Sequence, residues 1–247
     1  MKVIAIDTSN KTMAVALADE GKVIAVKKIN IKRNHSIQLM PAIQELVNEV
    51  NWQSQDIDRI AVANGPGSYT GVRIAVTTAK TLAWSLNADL VPYSSLEALV
   101  IGQSHTYDAI ISPIFDARRG NVYAGLYQVN QEGKLETVVS DRHIDFETWT
   151  TEIISHDTPI VFVGEDVDAF SEMINNNKSL SNLVTELRNN ELPQVEAMAI
   201  DAPNRTPIST HQLTPDYLKL TEAEENWMKD NPDSKRGHLV EKIERSD

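Results

Sequence analysis

An α/β fold of two related subdomains, the second reduced, is predicted for this chain of 247 residues. Three consecutive strand-like runs open the sequence and give way to alternating helical and strand-like segments, a pattern of layered sheet and helix. A glycine-rich turn, Gly65 to Gly71, joins a short apolar run to a long helical period. From Ala109 the order of elements restarts in trimmed form. The expected boundaries are 1–103 for the first subdomain, 104–220 for the second and 221–247 for a charged tail.

Element by element, Lys2–Asp7 is a short apolar run, too short for a signal peptide, and reads as a strand. Met13–Ala18 and Lys22–Ile29 flank Asp19-Glu20-Gly21, a hairpin signal. From His35 to Val50 apolar residues recur at Ile37, Met40, Ile43, Leu46, Val47 and Val50, a helical period. Arg59–Ala63 is a strand, Thr70–Leu86 a second helix capped by Ser68 or Thr70, Asp89–Pro92 a strand and Ser94–Gly102 a helix. In the second half, strand Ala109–Phe115, turn Asp116–Gly120, strand Asn121–Val129 and a strand within Lys134–Ile144 follow. Helix Phe146–Ser155, strand Ile160–Val163, helix Val167–Asn175 and a short helix over Pro193–Ile200 complete the order. This succession resembles the ribonuclease-H-like half-domain of the actin, sugar-kinase and Hsp70 (ASKHA) group.

Composition excludes several classes of function. Hydrophobic residues make up 41% and charged residues 23%, ordinary globular proportions. No run approaches the roughly 18 apolar residues of a membrane span, so no membrane partner is expected. Cysteine is absent, which removes disulfides, thiolate metal sites and cysteine nucleophiles, and suits the cytoplasm. The formal net charge of −12 argues against direct gripping of a nucleic-acid backbone; Lys27-Lys28, Lys32-Arg33 and Arg118-Arg119 are short basic pairs and not an extended patch. A basic protein partner is the complementary expectation. The tail carries eight acidic and five basic residues and reads as a mobile helix or a disordered end.

The glycine turn is the most specific local feature. Free amides at the start of the following helix suit a phosphate or carboxylate, and a tight packing turn is the plainer reading. Val72-Arg73 after Gly71 excludes a Walker phosphate loop, and Pro66 and Thr70 around Ser68 exclude a nucleophile elbow. Asp7-Thr8-Ser9, after the first strand, can hold Mg²⁺ or phosphate oxygens, or serve only as a polar hairpin turn. Asp7, Thr8, Ser9, Gly67, Ser68 and Arg118 are thus the candidate anion-proximal residues. Asp116, Arg118 and Tyr123 read either as an anion site or as an Asp–Arg pair steadying a turn.

A nucleotide cradle lacks glycines: none occurs between Gly164 and Gly237, and independent ATPase or kinase activity is not expected. No two of the six histidines stand at the four-residue spacing that serves a metal on one helix face, so no metal site is expected. His35 reads as a capping or packing residue. Gly71, Ala75, Ala79 and Ala83 recur at four-residue spacing, flanked by Thr78 and Leu82, a small-residue stripe admitting a close helix, most often one of the same chain and otherwise one of a partner. With Ile37, Met40, Ile43 and Val47 of the first helix, they are the candidate partner interface.

Ile4–Ser9, His35-Ser36 ahead of Leu39-Met40-Pro41, Gly65–Arg73, Ser94–Leu99, Asp116–Arg119 with Tyr123, and Pro215–Lys219 together resemble the TsaB (YeaZ) family. The likeness covers most of Met1 to Tyr127 and then thins. It implies a non-catalytic subunit of the machinery that places a threonylcarbamoyl group on N6 of the adenosine beside the tRNA anticodon. It implies heterodimerisation with the catalytic paralogue TsaD through the first-half helices, support for the ATPase TsaE, and contact with tRNA only through the complex. ATP and a metal then enter through the partners; Ser95 and Leu99 stand where TsaD has its metal-binding histidines. Homodimerisation without the partner is left open. The other readings are a glycoprotease-like metallopeptidase and an ASKHA-fold ATPase or kinase.

Overall fold

The computed structural model describes residues 1–30, 35–102, 108–189, 191–219 and Trp227. The 103/104 boundary, Lys32-Arg33 and, Trp227 apart, the tail lie outside the described residues. The first sheet contains β1 (Lys2–Asp7), β2 (Thr12–Asp19), β3 (Lys22–Asn30), β4 (Arg59–Ala63) and β5 (Asp89–Tyr93). Its spatial order is β3-β2-β1-β4-β5, with the first three strands antiparallel and β4 and β5 parallel to β1. Helices α1 (His35–Glu49) and α2 (Tyr69–Leu86) supply its crossovers, and α3 (Glu97–Val100) follows β5.

The second sheet repeats this order. It comprises β6 (Ile110–Arg118), β7 (Asn121–Val129), β8 (Leu135–Asp145), β9 (Ile160–Gly164) and β10 (Val184–Asn189), arranged β10-β9-β6-β7-β8. Here α4 (Phe146–Ser155) follows β8, while α5 (Ser171–Asn176) and α6 (Lys178–Ser181) stand between β9 and β10. The duplicated ribonuclease-H-like arrangement expected from the element order is the one the chain forms. The reduction falls on the helices: 18 residues in α2 against six and four in α5 and α6.

Alternation along the strands sorts side chains onto two faces. On β1, Ile4 and Ile6 join α1 and α2 in one core, while Val3 and Ala5 face the other way with α7 (Val195–Asp201). Each fully buried aliphatic side chain there contributes roughly 1.5–3 kcal/mol. The second half builds its own core around Phe146, Trp149 and Phe162, with the Trp149 indole donating to Ser112 Oγ at 3.0 Å.

Several expectations are corrected. The helix expected over Ser94–Gly102 is only Glu97–Val100. The turn expected at Asp116–Gly120 tightens, since β6 runs on to Arg118. The helix expected over Val167–Asn175 begins as a 3-10 turn, Val167–Phe170, before α5. Strand β10, with the polar sequence Val-Thr-Glu-Leu-Arg-Asn, has no sequence counterpart in the expected order. The sequence assigns residues 104–220 to the second subdomain, but α7 packs on the first sheet. Buried Arg59 of β4 holds that return, donating to the carbonyls of Ala202 and Arg205 at 2.6 and 3.0 Å and to Asp89 at 2.7 Å.

Candidate site at the junction of the two halves

The β1–β2 turn and the glycine turn are built against each other. Thr8 Oγ1 donates to the Gly71 carbonyl at 2.7 Å, and the Ser68 amide donates to the Ser9 carbonyl at 2.7 Å. A Cβ on Gly71 would sit 2.1 Å from Thr8 O, and one on Gly67, whose φ is +154°, 2.3 Å from Ser9 O. The glycines therefore serve close backbone approach. Ser68 caps α2, its side chain accepting from the Gly71 amide; Thr70 lies within the helix. Asp7 is wholly buried, and its Oδ1 accepts the Ser9 amide at 2.7 Å. Burial pushes its carboxyl up to about 6, against the pull of the Ser9 amide and with Glu165 adding to the rise.

Across the junction, a cavity of about 320 Å³ is lined by Asn10, Gly67, Ser68, Arg118, Tyr123 and Lys219, among others. Six of the sequence-predicted residues thus meet there or beside it: Gly67 and Ser68 from one half, Asp116, Arg118 and Tyr123 from the other, and Ser9 beneath Gly67. Arg118 and Arg119 have φ of +70° and +56° and Gly120 +77°, three successive left-handed residues that turn β6 into β7. Asp116 Oδ1 steadies the turn by accepting the Arg118 amide at 2.7 Å. Burial raises the Tyr123 phenol and keeps it protonated. His35 reaches the Asn10 carbonyl at 3.3 Å, tying α1 to the same turn. The arrangement offers a guanidinium, an ammonium and hydroxyls around one hollow, a set suited to an anionic oxygen group.

Lys219 belongs to a segment that crosses the first half. Lys80 Nζ donates to the Leu213 carbonyl at 2.7 Å, the Asp216 amide donates to Asn64 O at 2.7 Å, and Tyr217 stacks on Tyr69. Sequence reasoning places Lys219 in a closing motif but not at the cavity, because contacts between distant chain segments leave no periodic trace.

The candidate interface residues divide. Ile43, Gly71, Ala75 and Ala79 are core residues, so the small-residue stripe packs α2 onto its own sheet and is not a partner surface. Val47, Thr78 and Leu82 are half-buried. Ile37 and Met40 are open, at 69% and 45% exposure. Sequence reasoning missed Trp84, at 73% the most exposed large apolar side chain among the described residues. It lies opposite the small stripe, in line with Thr77 and Thr81 at helical spacing. Among the described residues no group of three or more His, Cys, Asp or Glu is placed to hold a metal ion, and no helix is long and apolar enough to cross a membrane.

Residues 23–227 match the family model described as TsaD: tRNA N6-adenosine threonylcarbamoyltransferase. The tRNA threonylcarbamoyladenosine biosynthesis protein TsaB of Bacillus subtilis is 44% identical over 92% of this chain and 98% of its own length. The Escherichia coli protein of the same name is 32% identical over 54% of this chain and 58% of its own. A solved structure described as YeaZ from Pseudomonas aeruginosa covers 88% of this chain and 99% of its own with a TM-score of 0.70 at 24% identity, a likeness of fold.

Proposed function

This chain belongs to the TsaB family, and from that premise we propose that it is a non-catalytic subunit in the biosynthesis of threonylcarbamoyladenosine on tRNA. It pairs with a TsaD-type catalytic paralogue in the cytoplasm and supports binding of a TsaE-type ATPase. It meets tRNA only within that complex, and ATP and metal are supplied there by the partners. The observation that carries this reading is the outward face of α1 and α2. Both helices pack on the same side of the first sheet and touch one another, and they leave Ile37, Met40 and Trp84 uncovered. Large aromatic and aliphatic side chains open to water on adjoining helices suit the desolvated centre of an interface.

The junction cavity is the second part of the proposal. Arg118 and Lys219 place two cations beside the cap of α2 on a chain of net charge −12, which suits an acidic side chain of a partner. The acidic balance disfavours direct tRNA binding.

Light scattering after size exclusion, on this chain alone and mixed with its cognate TsaD-type paralogue, tests the reading. A heterodimer that is lost on Trp84→Glu supports it. Failure to associate, or adenosine modification by this chain without the paralogue, rejects it.

A further inference from the structure

Three donors from both halves meet on one buried carboxylate. Asp166, 7% exposed in the turn after β9, accepts Asn10 Nδ2 at 3.3 Å, the Asp116 amide at 3.0 Å and the Lys11 ammonium. Asn10 and Lys11 come from the β1–β2 turn of the first half, and Asp116 from β6 of the second. The neighbouring Glu165 is held in the same direction by Thr12 Oγ1. An ammonium, a side-chain amide and a backbone amide aimed at one carboxylate form a donor set of the kind that holds a phosphate oxygen, with the Glu165 and Asp116 carboxylates also acting on the Lys11 ammonium. Asn10 and Asp116 also line the junction cavity, so the cradle opens onto it.

We propose that this cradle is an anion site that the chain fills with its own Asp166 carboxylate, an internal occupant that joins the two halves and shuts out free phosphate compounds. A buried carboxylate is costly unless its oxygens are satisfied, and here the donors of both halves are committed to it. A tethered occupant also holds the advantage of effective concentration, so a free phosphate has to displace it rather than simply bind. This contact joins the two halves whatever partner the chain takes.

Calorimetric titration of inorganic pyrophosphate into the full chain tests it. The wild type is expected to give no saturable binding. Asp166→Ala, folded by circular dichroism, is expected to bind it saturably, at least about tenfold more tightly than the detection limit that bounds the wild type, and adding Lys11→Met is expected to remove that gain. A folded Asp166→Ala protein without the gain, or a wild type that binds as well as the variant, overturns the proposal. Asp166→Ser keeps a small polar group and gives the same readout if alanine prevents folding. Amide exchange on the wild type is a further check: the Asp116 amide should be protected, and rapid exchange there overturns the proposal.

Discussion

The ring of Tyr217 lies on that of Tyr69, with centroids 4.4 Å apart and planes 20° from parallel. The pair fastens the segment that carries Lys219 to the first turn of α2, beside the cavity. Stacked aromatic pairs contribute about 0.5–1.5 kcal/mol beyond the area they bury. Tyr217→Ala should therefore lower the unfolding free energy by about that much or more, read as a lower urea midpoint, while Tyr217→Phe, which keeps the ring and loses only the hydroxyl bonded to Tyr69, should lower it less. Equal midpoints for all three proteins would show that the ring contact contributes nothing to holding the segment.

Gly71 reverses the usual helix rule. In an exposed helix interior, Gly→Ala stabilises by up to about 1 kcal/mol. Here the new Cβ would sit 2.1 Å from the Thr8 carbonyl oxygen, a contact that only backbone movement relieves. Gly71→Ala should instead destabilise by about 1–3 kcal/mol, as overpacking does. Chemical denaturation decides between the signs, and a stabilised variant would refute the close approach of the two turns.

How much was legible follows from what each element shows to its own neighbours. Strands β1, β4 and β9 are short apolar runs buried on both faces, and α1 and α2 carry a clear helical period, so the sequence reveals them directly. Strand β10 is an edge strand whose Thr185, Glu186 and Asn189 face solvent or nearly so, and its polar run carries no such signal. The stripe of Gly71, Ala75 and Ala79 was legible as a close-packing surface, but small residues do not say whether they pack a helix of the same chain or another. Asp166 was unreadable as a bridge, since its donors Asn10, Lys11 and Asp116 lie 50 to 156 positions away.

Surface and core positions on α2 should respond oppositely to substitution. Trp84 is mostly in water, so Trp84→Ala should change stability by no more than about 0.5 kcal/mol. If the outward face is the partner surface, the same change should weaken heterodimer formation by about 2 kcal/mol or more. Ala79 is wholly buried, and Ala79→Leu should destabilise the isolated chain by about 1–3 kcal/mol. Denaturation of each variant alone, followed by titration with the paralogue, separates the two effects. A Trp84→Ala protein with unchanged affinity would remove that face from the interface.

Asp7 makes stability depend on pH with a defined sign. Its ordinary value of 3.8 is raised to about 6 in the folded protein, chiefly by burial. The folded state then holds the proton more tightly than the unfolded chain, so stability falls as pH rises from about 4 to above 6. Over that window the ionised carboxylate costs up to roughly 3 kcal/mol, the free energy corresponding to the raised value. Asp7→Asn keeps an oxygen to accept the Ser9 amide and carries no charge. Relative to wild type it should be more stable near pH 8 by as much as that amount, and the advantage should vanish near pH 4. Urea unfolding of both proteins across this range provides the measurement. A wild-type curve parallel to that of Asp7→Asn would show that Asp7 does not titrate in the window, and a greater advantage at low pH would show that the sign is wrong.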